Sequence, residues 1–119
     1  MPALTRVLGA ATAAYSATII AAPRVLAKPC GLTDATGGVS ASVRTLIAGI
    51  GARDAAIGLA MLFAPAGKPL QVALAARVAS DAADALVFGT GLPDRSARPK
   101  VAAFALTWAA LCAASSLAR

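Results

Sequence analysis

Charged side chains stand in two apolar runs of this chain, and their types and spacing are what chemistry could use. Arg53 and Asp54 fall inside one run, and Arg77, Asp81 and Asp84 inside the next. On a helix Arg77 and Asp81 are i,i+4 and Asp81 and Asp84 are i,i+3, so these three share one stripe. Arg53 and Asp54 are sequence neighbours and point roughly 100° apart on a helix of about 3.6 residues per turn. A guanidinium beside a carboxylate makes a charge-assisted, bidentate pair. A carboxylate left over from such pairing can bind a ligand or carry a proton as a general acid or base. Asp81 and Asp84 are therefore the candidate catalytic residues. Arg53, Asp54, Arg77, Ser80 and Tyr15 are the candidate ligand-binding residues.

The elements that must position these groups are apolar. Of the 119 residues 59% are hydrophobic and only 13% are charged, against roughly 25% charged in soluble domains. That is the composition of a membrane protein. Alanine dominates the apolar content and favours helix, and the scarcity of aromatic residues argues against a sheet. The net charge of +6 is not a nucleic-acid signature. The basic residues lie between apolar runs and are not interleaved with stacking aromatics. With no histidine and no glutamate, histidine bases, histidine-ligated haem and histidine metal sites are excluded. No metal site and no cofactor is expected. Cys30 and Cys112 are isolated and form no CxxC pattern.

Four runs are long enough to cross a bilayer, which needs about 20 residues. Helices are expected over residues 3–22, 43–64, 70–88 and 100–117 of a single integral membrane domain, 1–119. The first run carries no charge after Arg6 and stops at Pro23 and Arg24. A cleaved signal peptide is the competing reading of it. Residues 24–42 form a connector broken by Pro29, Gly31, Gly37 and Gly38. A short surface helix there would set Leu26 and Leu32 toward lipid. In the second run Gly51, Asp54 and Gly58 share a face, with Ala55 beside them, and Ala48, Ala52, Ala56 and Ala60 form another row of small residues. Such rows let helix backbones approach closely. The short turn at 65–69 makes the second and third runs an antiparallel hairpin. The fold expected is all-α: a four-transmembrane-helix bundle, up-down, with a buried Arg/Asp network between the second and third spans. A soluble alanine-rich bundle is the alternative, but the first and last runs lack the charged face it would need.

Arg24, Lys28, Arg44, Arg95, Arg98 and Lys100 flank the first and third connections, and Arg6, Lys68 and Arg119 lie on the other side. This bias places the first and third connections in the cytoplasm. A central Arg or Asp costs about 2.5–3.5 kcal/mol on insertion scales, while a central Leu or Val returns only ~0.3–0.6. The second and third spans should therefore insert together, with their charges paired. Two arginines against three aspartates leave one carboxylate over. It could be protonated, paired with Arg44, or hydrogen-bonded by Ser80, Tyr15 or Thr107.

The network is either structural glue or the lining of a polar cavity. The function expected is that of a ligand-binding or accessory-subunit membrane protein, a binding rather than an enzymatic role. The alternatives are an isomerase- or cyclase-like enzyme working on a lipophilic substrate with an intramembrane Asp, and a small proton-coupled transporter acting as an oligomer. The partners expected are the lipid bilayer of the cell membrane, crossed several times, a lipophilic small molecule, and a second copy or a larger membrane complex. Nucleic acid is not among them. Trp108 and Cys112 are expected to pack rather than to bind, and no GxGxxG or Walker pattern is present.

The order of these elements is familiar. Ala22-Pro23-Arg24 and Lys28-Pro29-Cys30-Gly31-Leu32 are followed by Gly51-Ala52-Arg53-Asp54-Ala55-Ala56-Ile57-Gly58-Leu59, then by Asp81-Ala82-Ala83-Asp84. This resembles a family of small, uncharacterised four-helix membrane proteins of bacteria and fungi, similar to the DoxX-like group. The resemblance implies a membrane fold with Arg53, Asp54, Asp81 and Asp84 as its shared polar positions. It implies no substrate.

Overall fold

The computed structural model describes residues 2–117, so Arg119, assigned above to one membrane interface, lies outside the described residues. All regular structure among the described residues is helical: α1 (Ala3–Ala21), α2 (Arg24–Ala27), α3 (Ala41–Phe63), α4 (Lys68–Gly91) and α5 (Arg98–Ser115). Two of these, α1 and α3, are long and apolar enough to cross a membrane. The Cα envelope measures 48 × 25 × 16 Å.

Local chemistry sets the ends. The Ser40 hydroxyl accepts the Val43 N–H at 3.3 Å and starts α3, two residues before the expected start. Pro69 and Pro99 sit in the first turns of α4 and α5, where a missing N–H costs nothing. Helix α4 runs on through Gly89 to Gly91, past the expected end at residue 88, because no proline intervenes before Pro93. Arg6 closes the far end of α3. Its Nη1 donates to the carbonyl oxygens of Met61 and Leu62 at 3.2 and 3.1 Å, and to that of Ala64. These are carbonyls that the helix leaves without partners, at its negative end.

The long helices form two tightly packed pairs, α1 with α3 and α4 with α5. The first pair meets backbone to backbone. A Cβ on Gly9 would lie 2.7 Å from the Gly58 carbonyl oxygen, and one on Gly58 would lie 2.8 Å from the Ala13 nitrogen. Gly51 meets Ile20 and the Ser16 carbonyl oxygen in the same way. The Gly51/Gly58 face therefore does pack on a neighbour, and that neighbour is α1. In the other small-residue row, Ala52 and Ala56 are exposed.

Apolar clusters close both ends. Leu8, Met61, Ala73, Leu74 and Cys112 fill the end at the α3–α4 turn. Ile19, Ala27 and Ile47 fill the other, beside a third cluster of Cys30, Leu92 and Ala97. Leu26 and Leu32 pack against these last two clusters. The expectation that they face lipid is corrected: Gly31 bends the connector inward until it touches Asp94, and both leucines follow. Cys30 and Cys112 are free and buried.

Candidate functional site

The five charges meet between the two helix pairs. Arg77 is 2% exposed. Its Nε and Nη2 donate to the Asp81 carboxylate at 3.1 and 2.6 Å, and its Nη2 also lies 3.1 Å from Asp54 Oδ1. Arg53 makes a second bidentate pair, from Nη1 and Nη2 to Asp84 at 3.2 and 2.7 Å. Its Nε donates to Asp54 Oδ1 at 2.9 Å. The order is thus Asp84, Arg53, Asp54, Arg77, Asp81, with Asp54 as the bridge.

No carboxylate of this network is left without a guanidinium. The surplus charge is shared at Asp54, one carboxylate between two arginines, so Arg44, Ser80 and Thr107 are not needed. Thr107 instead donates to Ala103 on its own helix. Helix spacing explains half of this pattern, since Arg77–Asp81 is an i,i+4 pair. The other half crosses from α3 to α4, as insertion of paired charges requires.

The network forms one wall of a cavity of about 310 Å³. Helix α1 contributes Thr12, Tyr15, Ser16 and Ile19, α2 contributes Leu26, and α3 contributes Ile50 and Asp54. Arg77, Asp81, Asp84 and Phe88 come from α4, and Val101, Phe104, Ala105 and Trp108 from α5. Trp108 Nε1–H donates to Thr12 Oγ1 at 3.0 Å, and the Ser16 hydroxyl donates to the Thr12 carbonyl oxygen. The polar edge of the indole is thereby satisfied. Tyr15 and Phe104 are both exposed, with ring centroids 6.1 Å apart and planes at 41°. They stand at the mouth, between α1 and α5.

Of the residues named from sequence, Tyr15, Asp54, Arg77, Asp81 and Asp84 line this cavity. Arg53 stands behind Asp54 and Asp84, outside the lining, and half-buried Ser80 is not part of it. Phe88, Phe104 and Thr12 are lining residues that the sequence alone did not single out, and Trp108, expected to pack, lines the cavity as well. Periodicity could have found them. Phe88 extends the Arg77–Asp81–Asp84 stripe by four residues, and Val101, Phe104, Ala105 and Trp108 follow i,i+3,i+4,i+7.

Both connectors at the cavity end are pinned by aspartates outside the long helices. Asp94 Oδ1 accepts from the Ser96 N–H and hydroxyl at 3.0 and 2.6 Å, and these bonds hold the carboxyl below its usual range. Asp34 Oδ1 accepts from Thr36 and Gly38 and is lowered in the same way. Among the described residues no group of side chains could hold a metal ion. Comparison of the chain with family models, curated proteins and solved structures gives no match.

Proposed function

We propose that this chain is a small four-span membrane protein of the DoxX-like kind that binds a lipophilic small molecule between its two helix pairs. One observation carries the reading. The polarity of the molecule is reversed, with charges converging between the helix pairs and an apolar exterior along the long helices. Val7, Leu46, Leu59, Val72, Leu86, Val87, Leu106 and Leu111 are all exposed. A surface of this extent is a liability in water and a match for acyl chains. Helices of 18 to 24 residues, at 1.5 Å per residue, span about 27–36 Å, close to a hydrocarbon core of about 30 Å. In this reading the basic residues of the first and third connections favour the cytoplasmic side for those ends. Arg53, 38% exposed at the outer edge of the network, is where a second copy or a larger membrane complex would cover the remaining charge.

Ligand binding fits the geometry better than acid–base catalysis. Asp81 and Asp84 each spend both oxygens on a guanidinium, so neither presents an unengaged oxygen to a substrate. The walls are mainly apolar with a few convergent polar groups, the usual make-up of a small-molecule site.

The test is to purify the protein in mild detergent, extract it with solvent and identify what co-purifies by mass spectrometry. The wild type should yield a lipophilic compound. Ala105→Phe, which fills the cavity from α5, should melt no lower and yield none. Equal recovery from both proteins would place the bound molecule elsewhere.

A further inference from the structure

Every aromatic residue of the chain except Phe63 lines this one cavity: Tyr15, Phe88, Phe104 and Trp108. In a chain with 4% aromatic residues, that concentration needs a reason. The charges on the same wall are unbalanced. Asp54, Asp81 and Asp84 line the cavity against Arg77 alone, while Arg53 lies outside the lining.

The imbalance can be traced to one atom. Asp81 and Asp84 each use both oxygens in bidentate pairs. Asp54 meets both arginines through Oδ1, and its Oδ2 accepts no hydrogen bond among the described residues. Nor is that oxygen buried without a partner. It is accessible, and Asp54 lines the cavity.

An anion entering here meets three carboxylates and no unengaged guanidinium. A neutral hydrocarbon gains the apolar wall and leaves Asp54 Oδ2 unused. A cation gains both. Ring faces attract an onium group through their quadrupole, most strongly where water is displaced, and a carboxylate in a low-dielectric site adds to the attraction.

We infer that the cavity selects a lipophilic monocation, a compact ammonium or other onium group on an aromatic or short alkyl body, with Asp54 as its counter-ion and the aromatic side chains of the lining as its apolar, ring-bearing wall. The inference rests on the cavity being a ligand site. It assigns the ligand's charge to Asp54 rather than to the Asp81/Asp84 stripe.

Trp108 is the chain's single tryptophan, so its emission reports occupancy without a label. Three near-isosteric probes of different charge are titrated into the purified protein: benzyltrimethylammonium, the neutral neopentylbenzene and the anionic benzylsulfonate. The cation should give a saturable change at a concentration about tenfold or more below that of neopentylbenzene. Benzylsulfonate should give none. Asp54→Asn should reduce the cation's advantage to about threefold or less while leaving the neopentylbenzene response in place. If Asp54→Asn does not fold, Phe104→Leu serves instead: it removes one ring at the exposed mouth and should weaken the cation more than the neutral probe. Equal responses to cation and neutral probe, or a preference for the sulfonate, would overturn the charge selection and leave the cavity standing as a lipophilic site. No response to any probe would overturn both.

Discussion

Helix α3 has two working faces, and they hold their neighbours by opposite means. Toward α1, Gly51 and Gly58 remove side chains until backbones touch, and no space remains. Toward α4, Asp54 and Arg53 reach out to Arg77 and Asp84, and a cavity of about 310 Å³ lies beside them. The first contact is apolar and shape-determined, and relies on dispersion at close range. The second is polar and charge-determined, and it leaves room. The contrast teaches that the space at the second face comes with its chemistry: ion pairs set helix separation at side-chain length, and what they do not fill a ligand can.

The strongest way to break the second face is Arg77→Met. It leaves Asp81 and half of Asp54's pairing uncompensated in a buried site, at a cost of about 3–5 kcal/mol. The double variant Arg77→Met/Asp81→Met should recover part of that loss, because burial without charge is cheaper than burial of one unpaired charge. Thermal unfolding in a single detergent measures both.

The first face breaks by the addition of one methyl group. Gly58→Ala places a Cβ against the backbone of Ala13 and Gly9, which cannot swing aside, at about 1–3 kcal/mol. Gly49→Ala meets nothing within 4 Å and should be neutral or stabilising by up to about 1 kcal/mol. The same unfolding assay should show a wide gap between the two.

A smaller effect sharpens the boundary between cavity and seam. Thr12→Val removes the acceptor for Trp108 Nε1–H, at about 1 kcal/mol. It should also free the indole, raising its fluorescence anisotropy decay rate.

The smallest effect lies at the connectors. The Asp94 carboxyl is lowered by its bonds to Ser96, so its contribution is present above the unfolded-state value of about 3.9 and is lost as pH falls through the lower folded-state value. The melting difference between wild type and Asp94→Ala should be constant from pH 7 to 5 and shrink below about pH 4.

The helical class and the convergence of Arg53, Asp54, Arg77, Asp81 and Asp84 were legible because spacing and hydropathy are local signals. The short turn at 65–69 made α3 and α4 consecutive for the same reason, but each packs most tightly on another helix, α3 on α1 and α4 on α5. The α1–α3 seam was half legible: Gly51 and Gly58 mark a close approach, but nothing in the run around Gly9 names it as the partner. The inward turn of Leu26 and Leu32 depends on Gly31 meeting Asp94, more than sixty residues away, and no local pattern carries that. The cavity was hidden for a similar reason, since its rings come from three helices and only their shared faces reveal them. Sharing of Asp54 Oδ1 by both arginines is a matter of ångströms, which spacing does not convey.

The central claim is that the apolar exterior faces lipid across four spans. Single cysteines at Thr36, Gly67 and Ser96, in a background with Cys30 and Cys112 replaced by alanine, can be probed with a membrane-impermeant maleimide in sealed vesicles. The account requires positions 36 and 96 to label from one side and position 67 only from the other. Labelling of all three from the same side, or recovery of the protein in the soluble fraction, would contradict it.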